Sequence, residues 1–291
     1  MPHAQFGIMT APSQVSYDDI VHVWREADEI PAIEHAWLFD HLMPIFGDPN
    51  GPIFEGWTLL SALAAQTTRL RLGLLVTSNR FRPPAMLAKI AAGVDIVSRG
   101  RLDFGIGAGS RPSHPAARRE YDAHGLPYHD LTDSLDALDE ALTVIRRLWT
   151  ADEPFDFAGN HVTLSGAFGN PKPIQTPHPP IITGGRSSRL LQITARHADL
   201  WNVPGGDLDS VGEAAQRSAL LDRYCAEINR DPGAITRSMH IPVSYDRPGT
   251  TRDAIETALE SGFTHIVLGL ASPYPAGVAR WVADDIIAPS R

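Results

Sequence analysis

A single (β/α)8 barrel (TIM barrel) spanning residues 1–291 is the fold that this chain predicts, an α/β architecture with insertions after the fourth strand and before the fifth. The first observation behind it is alternation. Strand-like and helix-like segments follow one another along the whole length, as parallel strands joined by crossover helices require. The second is size, since a barrel of this kind takes about 250 residues as one domain. The third is placement: short polar or glycine-rich turns directly follow apolar runs, and a barrel gathers such turns at the C-terminal ends of its strands.

The first strand is expected over residues 5–9 and the first helix over 17–29, started by Ser16 as a cap with Asp18 and Asp19 in the first turn. Residues 35–39 read as the second strand, and a Gly- and Pro-rich loop leads to a helix over 57–66. Residues 69–76 (RLRLGLLV) alternate and then turn wholly apolar, as the third strand. Pro83 and Pro84 suit the first turn of the next helix, which ends near Arg99-Gly100, and residues 101–105 form the fourth strand. From Ser110 to His129, prolines, a charged run around Arg118–Glu120 and weak periodicity predict a long loop over one barrel face. The following helix has the strongest pattern, with Leu131, Leu135, Leu138, Leu142, Ile145 and Leu148 at spacings of three and four. Gly159-Asn160, between short alternating runs, predicts a hairpin, and prolines then extend the chain into strand five at 180–183. Helix and strand pairs follow at 186–196 and 199–203, at 209–229 and 235–244, and at 252–260 and 265–270. A last helix closing near Ile287 makes eight of each.

Composition removes several function classes. The net charge of −9 argues against nonspecific nucleic-acid binding, which needs basic surface to displace counterions. No apolar run approaches the roughly 20 residues of a membrane span. The opening MPHAQFGIMTAP lacks the basic-then-apolar pattern of a secretory signal. The one cysteine, Cys225, rules out an internal disulfide and reads as a packed helical thiol, so the expected compartment is the cytoplasm. His114, His124 and His129 share one loop, but no H-x3-H, C-x-x-C or H-E-x-x-H spacing predicts a metal.

The strand ends carry the informative residues. Asp40-His41 follows strand two, Thr77-Ser78-Asn79 strand three, Gly105–Ser110 (GIGAGS) strand four, Thr183–Ser188 (TGGRSS) strand five and Trp201-Asn202 strand six. Gly184 and Gly185 before a helix suit an anion, because the backbone can approach closely and the first helical N–H groups are free. Arg186 and Ser187 add a charge and a hydroxyl. The GIGAG turn is not G-x-G-x-x-G; it reads as backbone laid against a planar ring, or as a crowded turn. His41 beside Asp40 reads either as a proton-transfer histidine or as a satisfied structural one. Glu55 and Trp57 are weaker candidates for a pocket wall, while His197 and Asp199 read as structural.

These turns, in this order, resemble the luciferase-like (bacterial luciferase superfamily) oxidoreductases, especially the branch that uses the deazaflavin coenzyme F420. The pieces that carry the likeness are WLFDH at residues 37–41, RLRLGLLVTSNRFRPPAMLAKIAAGVDIVSRGRLDFGIGAG at 69–109 and PPIITGGRSSRLLQITARHADLWN at 179–202. The resemblance implies that His41 is the catalytic proton donor or acceptor and that Asp40 hydrogen-bonds the deazaflavin ring. It implies a non-prolyl cis peptide near Leu75-Val76 beneath the ring, with Thr77, Gly107 and Gly109 bordering the ring or its tail. Gly184, Gly185, Arg186 and Ser187 would hold the phosphate. The implied activity is hydride transfer between reduced deazaflavin and a small organic substrate; reduction of an activated C=C or C=N bond is the expected direction, because no sugar-phosphate clamp is visible, and the alternative is an FMN-dependent two-component monooxygenase. By the same analogy the protein is expected to be a homodimer. Two features depart from the pattern. Ser110, followed by Arg111-Pro112, stands where members that oxidise a sugar phosphate or a secondary alcohol tend to carry a glutamate or another large residue. Ile33-Glu34-His35 replaces the usual Gly-Phe before strand two.

Overall fold

Hydrogen bonding along the apolar runs closes a ring of eight parallel strands in the computed structural model, which describes residues 3–110, 113–205 and 208–290. The ring runs through β1 (Gln5–Thr10), β2 (His35–Leu38), β3 (Arg71–Leu74) with β4 (Thr77–Ser78), and β5 (Leu102–Gly107). It continues through β8 (Ile181–Gly184), β9 (Leu200–Pro204), β10 (Thr236–Pro242) and β11 (His265–Leu270), which pairs back onto β1. β3 and β4 are two halves of one barrel strand. The peptide between Leu75 and Val76 separates them and is cis, as the resemblance implies.

Eight helical segments wrap the ring: α1 (Tyr17–Asp28), α2 (Gly56–Gln66), α3 (Pro84–Val97), α5 (Leu131–Thr150), α6 (Ser188–His197), α7 (Leu208–Glu227), α8 (Pro248–Glu260) and α9 (Val278–Trp281), which runs on as a wider turn to Ile287. Local chemistry sets their ends. Ser16 and Asp19 form a reciprocal capping box on α1, and Asp130 caps α5 through the Asp133 N–H. The excursion before strand five is the expected hairpin, β6 (Phe155–Ala158) against β7 (Thr163–Ala167). Glu140 on α5 clamps its turn, accepting from the Asn160, His161 and Val162 N–H groups.

The stretch expected to be a long loop contains a further helix, α4 (Pro115–Ala123). Its inward positions are Ala117, Glu120 and Tyr121, spaced three and four. One of them is a carboxylate, so an apolar stripe is missing from the sequence even though the helical period is present.

Most of the core lies between sheet and helices. A second, small cluster of Trp37, Ile182 and Val267 fills the barrel axis. Large rings stand there over glycines that leave them room. His35 lies over Gly7, Trp37 over Gly73 and His240 over Gly269, at distances that a Cβ would occupy. His35 and His265 stack with centroids 3.9 Å apart. Below them Arg71 donates to buried Asp103, whose carboxyl burial pushes up despite the guanidinium beside it. Among the described residues no helix is long and apolar enough to cross a membrane.

Candidate active site

All eight strands point their C-terminal ends to one mouth, which brings the turns after β2, β4, β5, β8 and β9 together. Register makes the adjacency concrete, with Ser78 beside Gly107, Ile106 beside Thr183 and Gly184 beside Asn202. His41 and Gly184-Gly185 therefore open onto the same side of the molecule.

Val76 is the centre of this rim. Added Cβ atoms at Gly107 and Gly184 would meet its methyls at 2.9 and 3.3 Å. One at Gly105 would meet the Leu74 carbonyl oxygen at 2.0 Å. The glycines expected to border a ring thus first make room for Val76 and for the main chain before it. Gly109, at φ +96°, packs against the Tyr121 hydroxyl and Ser78.

Asp40 is turned into a buried network. Its carboxylate accepts from Arg82 Nη1 at 2.6 Å and Nη2 at 3.1 Å, and from the Thr77 hydroxyl. Thr77 in turn accepts from Trp57 Nε1 at 3.1 Å. Arg82 also pairs with Glu55, which caps α2 through the Thr58 N–H. Burial raises the Glu55 carboxyl, but Thr58 and Arg82 outweigh it and hold the group below its ordinary value. Asp40, Thr77, Glu55 and Trp57 thus form one brace around Arg82, a residue that sequence reasoning did not single out.

His41 is the member of the pair that faces the cleft. Its ring meets Phe39 edge-on at 5.7 Å, and Nδ1 lies 3.1 Å from both carboxylate oxygens of Glu120. Glu120 is fully buried and also accepts from the Leu42 and Met43 N–H groups. His41, Ile45, Ser110, Ser113, His114 and Ala117 line a cleft of about 390 Å³. Arg111 and Pro112 lie outside the described residues.

At the TGGR turn the expected donors are partly committed. The Gly185 N–H bonds the Asn202 carbonyl at 3.2 Å, and the Ser187 hydroxyl caps α6 through the Leu190 N–H. Arg186 pairs with Glu213 at 2.7 Å and reaches the Pro204 carbonyl. What remains for an anion is Arg186 Nε, buried without an intramolecular partner, together with the N–H groups of Ser188 and Arg189 in the first turn of α6. Asn79 Oδ1, at the turn after β4, is likewise buried without a partner. Asn202 donates to Ser238 instead of into the cleft. His197 pairs with Asp139, and Asp199 accepts from the Ile181 N–H, both away from the rim. Among the described residues no cluster of His, Cys, Asp or Glu is arranged to hold a metal ion.

The model of the family described as luciferase-like monooxygenase matches residues 2–277. The phthiodiolone/phenolphthiodiolone dimycocerosates ketoreductase of Mycobacterium tuberculosis is 32% identical over 214 residues, 72% of this chain and 51% of that protein, so the chain matches about half the length of this relative. An F420-dependent secondary alcohol dehydrogenase, solved with an F420–acetone adduct, superposes with a TM-score of 0.85 over 99% of both chains at 19% identity. The oxygenating constituent of 3,6-diketocamphane monooxygenase from Pseudomonas putida, solved with FMN, superposes at 0.76 over 98% of both chains at 15% identity. At those identities the likeness is one of fold, and the fold accommodates both cofactors.

Proposed function

Because this chain belongs to the luciferase-like monooxygenase family, we propose that it is an oxidoreductase that works with the deazaflavin coenzyme F420. The observation that carries the reading is the shared mouth. His41, the Val76 centre and the TGGR turn converge there, with Asn79 Oδ1 and Arg186 Nε as buried polar atoms on two of its turns. That set fits a planar ring with a polar edge and an anionic tail. Asn79 would meet the ring edge, Val76 would back its face, and Arg186 Nε with the start of α6 would hold a phosphate. The WLFDH and TGGR segments favour the deazaflavin branch over the flavin one.

When bound, the coenzyme supplies a hydride. The chain's own contribution is to orient the substrate in the cleft, restrict water and move one proton at His41 Nε2, since Nδ1 is engaged by Glu120. The proposed substrate is a small organic molecule with an activated C=C or C=N bond. Carbon receives the hydride and its partner atom the His41 proton, so the substrate gains two electrons and two hydrogens. Carbonyl compounds belong in the same test panel, because the mycobacterial relative is named a ketoreductase. Ser110, a small residue on the cleft wall, supports an acceptor other than a sugar phosphate. A second copy of the chain is the proposed protein partner.

Titrating the purified protein separately with coenzyme F420 and with FMN, read by fluorescence, tests the assignment. Saturable binding of F420 and none of FMN at the same concentrations is expected. The reverse result assigns the two-component flavin reading and overturns this one.

A further inference from the structure

We propose that Glu120 is a positioning residue that holds His41 in the tautomer protonated on Nδ1, leaving Nε2 to take up and release the proton. The proposal rests on the reading of His41 as the proton-handling group.

The argument begins with a carboxylate that has no water. Glu120 is fully buried, and such a group persists only when hydrogen bonds replace its hydration. Its partners are the Leu42 N–H, the Met43 N–H at 3.3 Å and the His41 ring. A carboxylate can only accept, so Nδ1, 3.1 Å from both oxygens, is the donor of that bond. Neutral His41 is then left with a bare Nε2, the form that accepts a proton; protonated, it carries the proton on the cleft side. The Phe39 ring flanks the imidazole, and His114, Ser110 and Ser113 share its cleft. Among the described residues no other charged group is bonded to it.

The helix that brings Glu120 is itself fixed at this place. Arg119 donates to the Pro44 carbonyl at 2.7 Å, and Tyr121 packs against Phe81 and beneath the Gly109 turn. Three successive residues of α4 therefore grip the segment after His41, His41 itself and the turns after β4 and β5. The residue immediately after the GxGxG turn is a serine, and the acidic group at this mouth comes from ten residues further on in an inserted helix.

The test separates orientation from simple pinning of α4. In protein carrying 15N-labelled histidine, His41 is assigned by comparison with His41→Gln and read at about pH 8.5, well above the ordinary imidazole range. The wild-type protein is expected to show Nδ1 protonated and Nε2 bare. In Glu120→Gln the amide oxygen still accepts from the Leu42 N–H, while its NH2 donates to Nδ1, so the tautomer inverts. Turnover should then fall at least about tenfold with KM changed less than about threefold. Glu120→Asp should restore the wild-type tautomer and part of the turnover. A wild-type His41 protonated on Nε2 overturns the proposal, as does a Glu120→Gln protein with unchanged tautomer and full turnover. The spectra need no coenzyme. If the tautomer inverts while turnover stays the same in both Glu120→Gln and His41→Ala, the functional reading of His41 is what fails. Should Glu120→Gln not fold, the wild-type and Glu120→Asp spectra still decide the case.

Discussion

At the scale of single residues, the rim divides its work between two neighbours with opposite surroundings. Asp40 is enclosed by Arg82 and Thr77 and braces the mouth, while His41 keeps a fifth of its side chain exposed to the cleft. His41→Ala is therefore expected to keep coenzyme affinity within a few-fold and to lose at least about a hundredfold in turnover, the usual scale for removing a general acid or base. Unchanged turnover in a single-turnover assay would take His41 out of the mechanism. His41 and Asp40 were legible in the sequence because they directly follow an apolar run, and a barrel rim is reached from a strand end in one or two residues. Arg82 and Glu120 were not. They reach the rim across 42 and 79 residues of chain, and no local spacing encodes such a meeting.

At the scale of elements, all eight barrel strands were expected close to where they lie, as were the long helices; Ser16 was foreseen as the cap of α1, whereas Asp130 was not foreseen as the cap of α5. What was hidden were the elements whose inward faces are not apolar: α4, which buries a carboxylate, and the strand interiors, which bury histidines. His35 on β2, His240 on β10 and His265 on β11 are all neutral in the fold, because burial opposes their charging. His240 and His265 are brought down to about 4, and His35 is also well below its ordinary value. The unfolded chain binds these protons near pH 6.5, so the strands' contribution is complete above that pH. It is lost progressively as pH falls from there toward about 4. The melting temperature should drop between pH 7 and pH 5, and replacing His240 by Gln should reduce the proton uptake on unfolding at pH 5 by about one. Calorimetry in buffers of different ionisation enthalpy reads that number. A slope identical to wild type would show that His240 is charged in the fold.

At the scale of the whole molecule, one flank is dressed for contact. Met86, at 57% exposure, and Val97, at 50%, lie along the outer stripe of α3, with Phe168 and Ile174 exposed on the segment beside it. Large side chains collected this way are costly to leave in water. Light scattering is expected to give twice the chain mass for the wild type, and Met86→Glu should shift the protein toward a single copy without changing its circular dichroism spectrum. A wild type that elutes as one copy at all concentrations removes the pairing. The opposite aspect of the molecule is its axis, where His35, Trp37 and His240 stand over glycines and fill the bore. A stoppered bore makes traffic one-ended. With the axis stopped, the route to His41 lies on the face where the strands end, so newcomer and departing product would have to share that face.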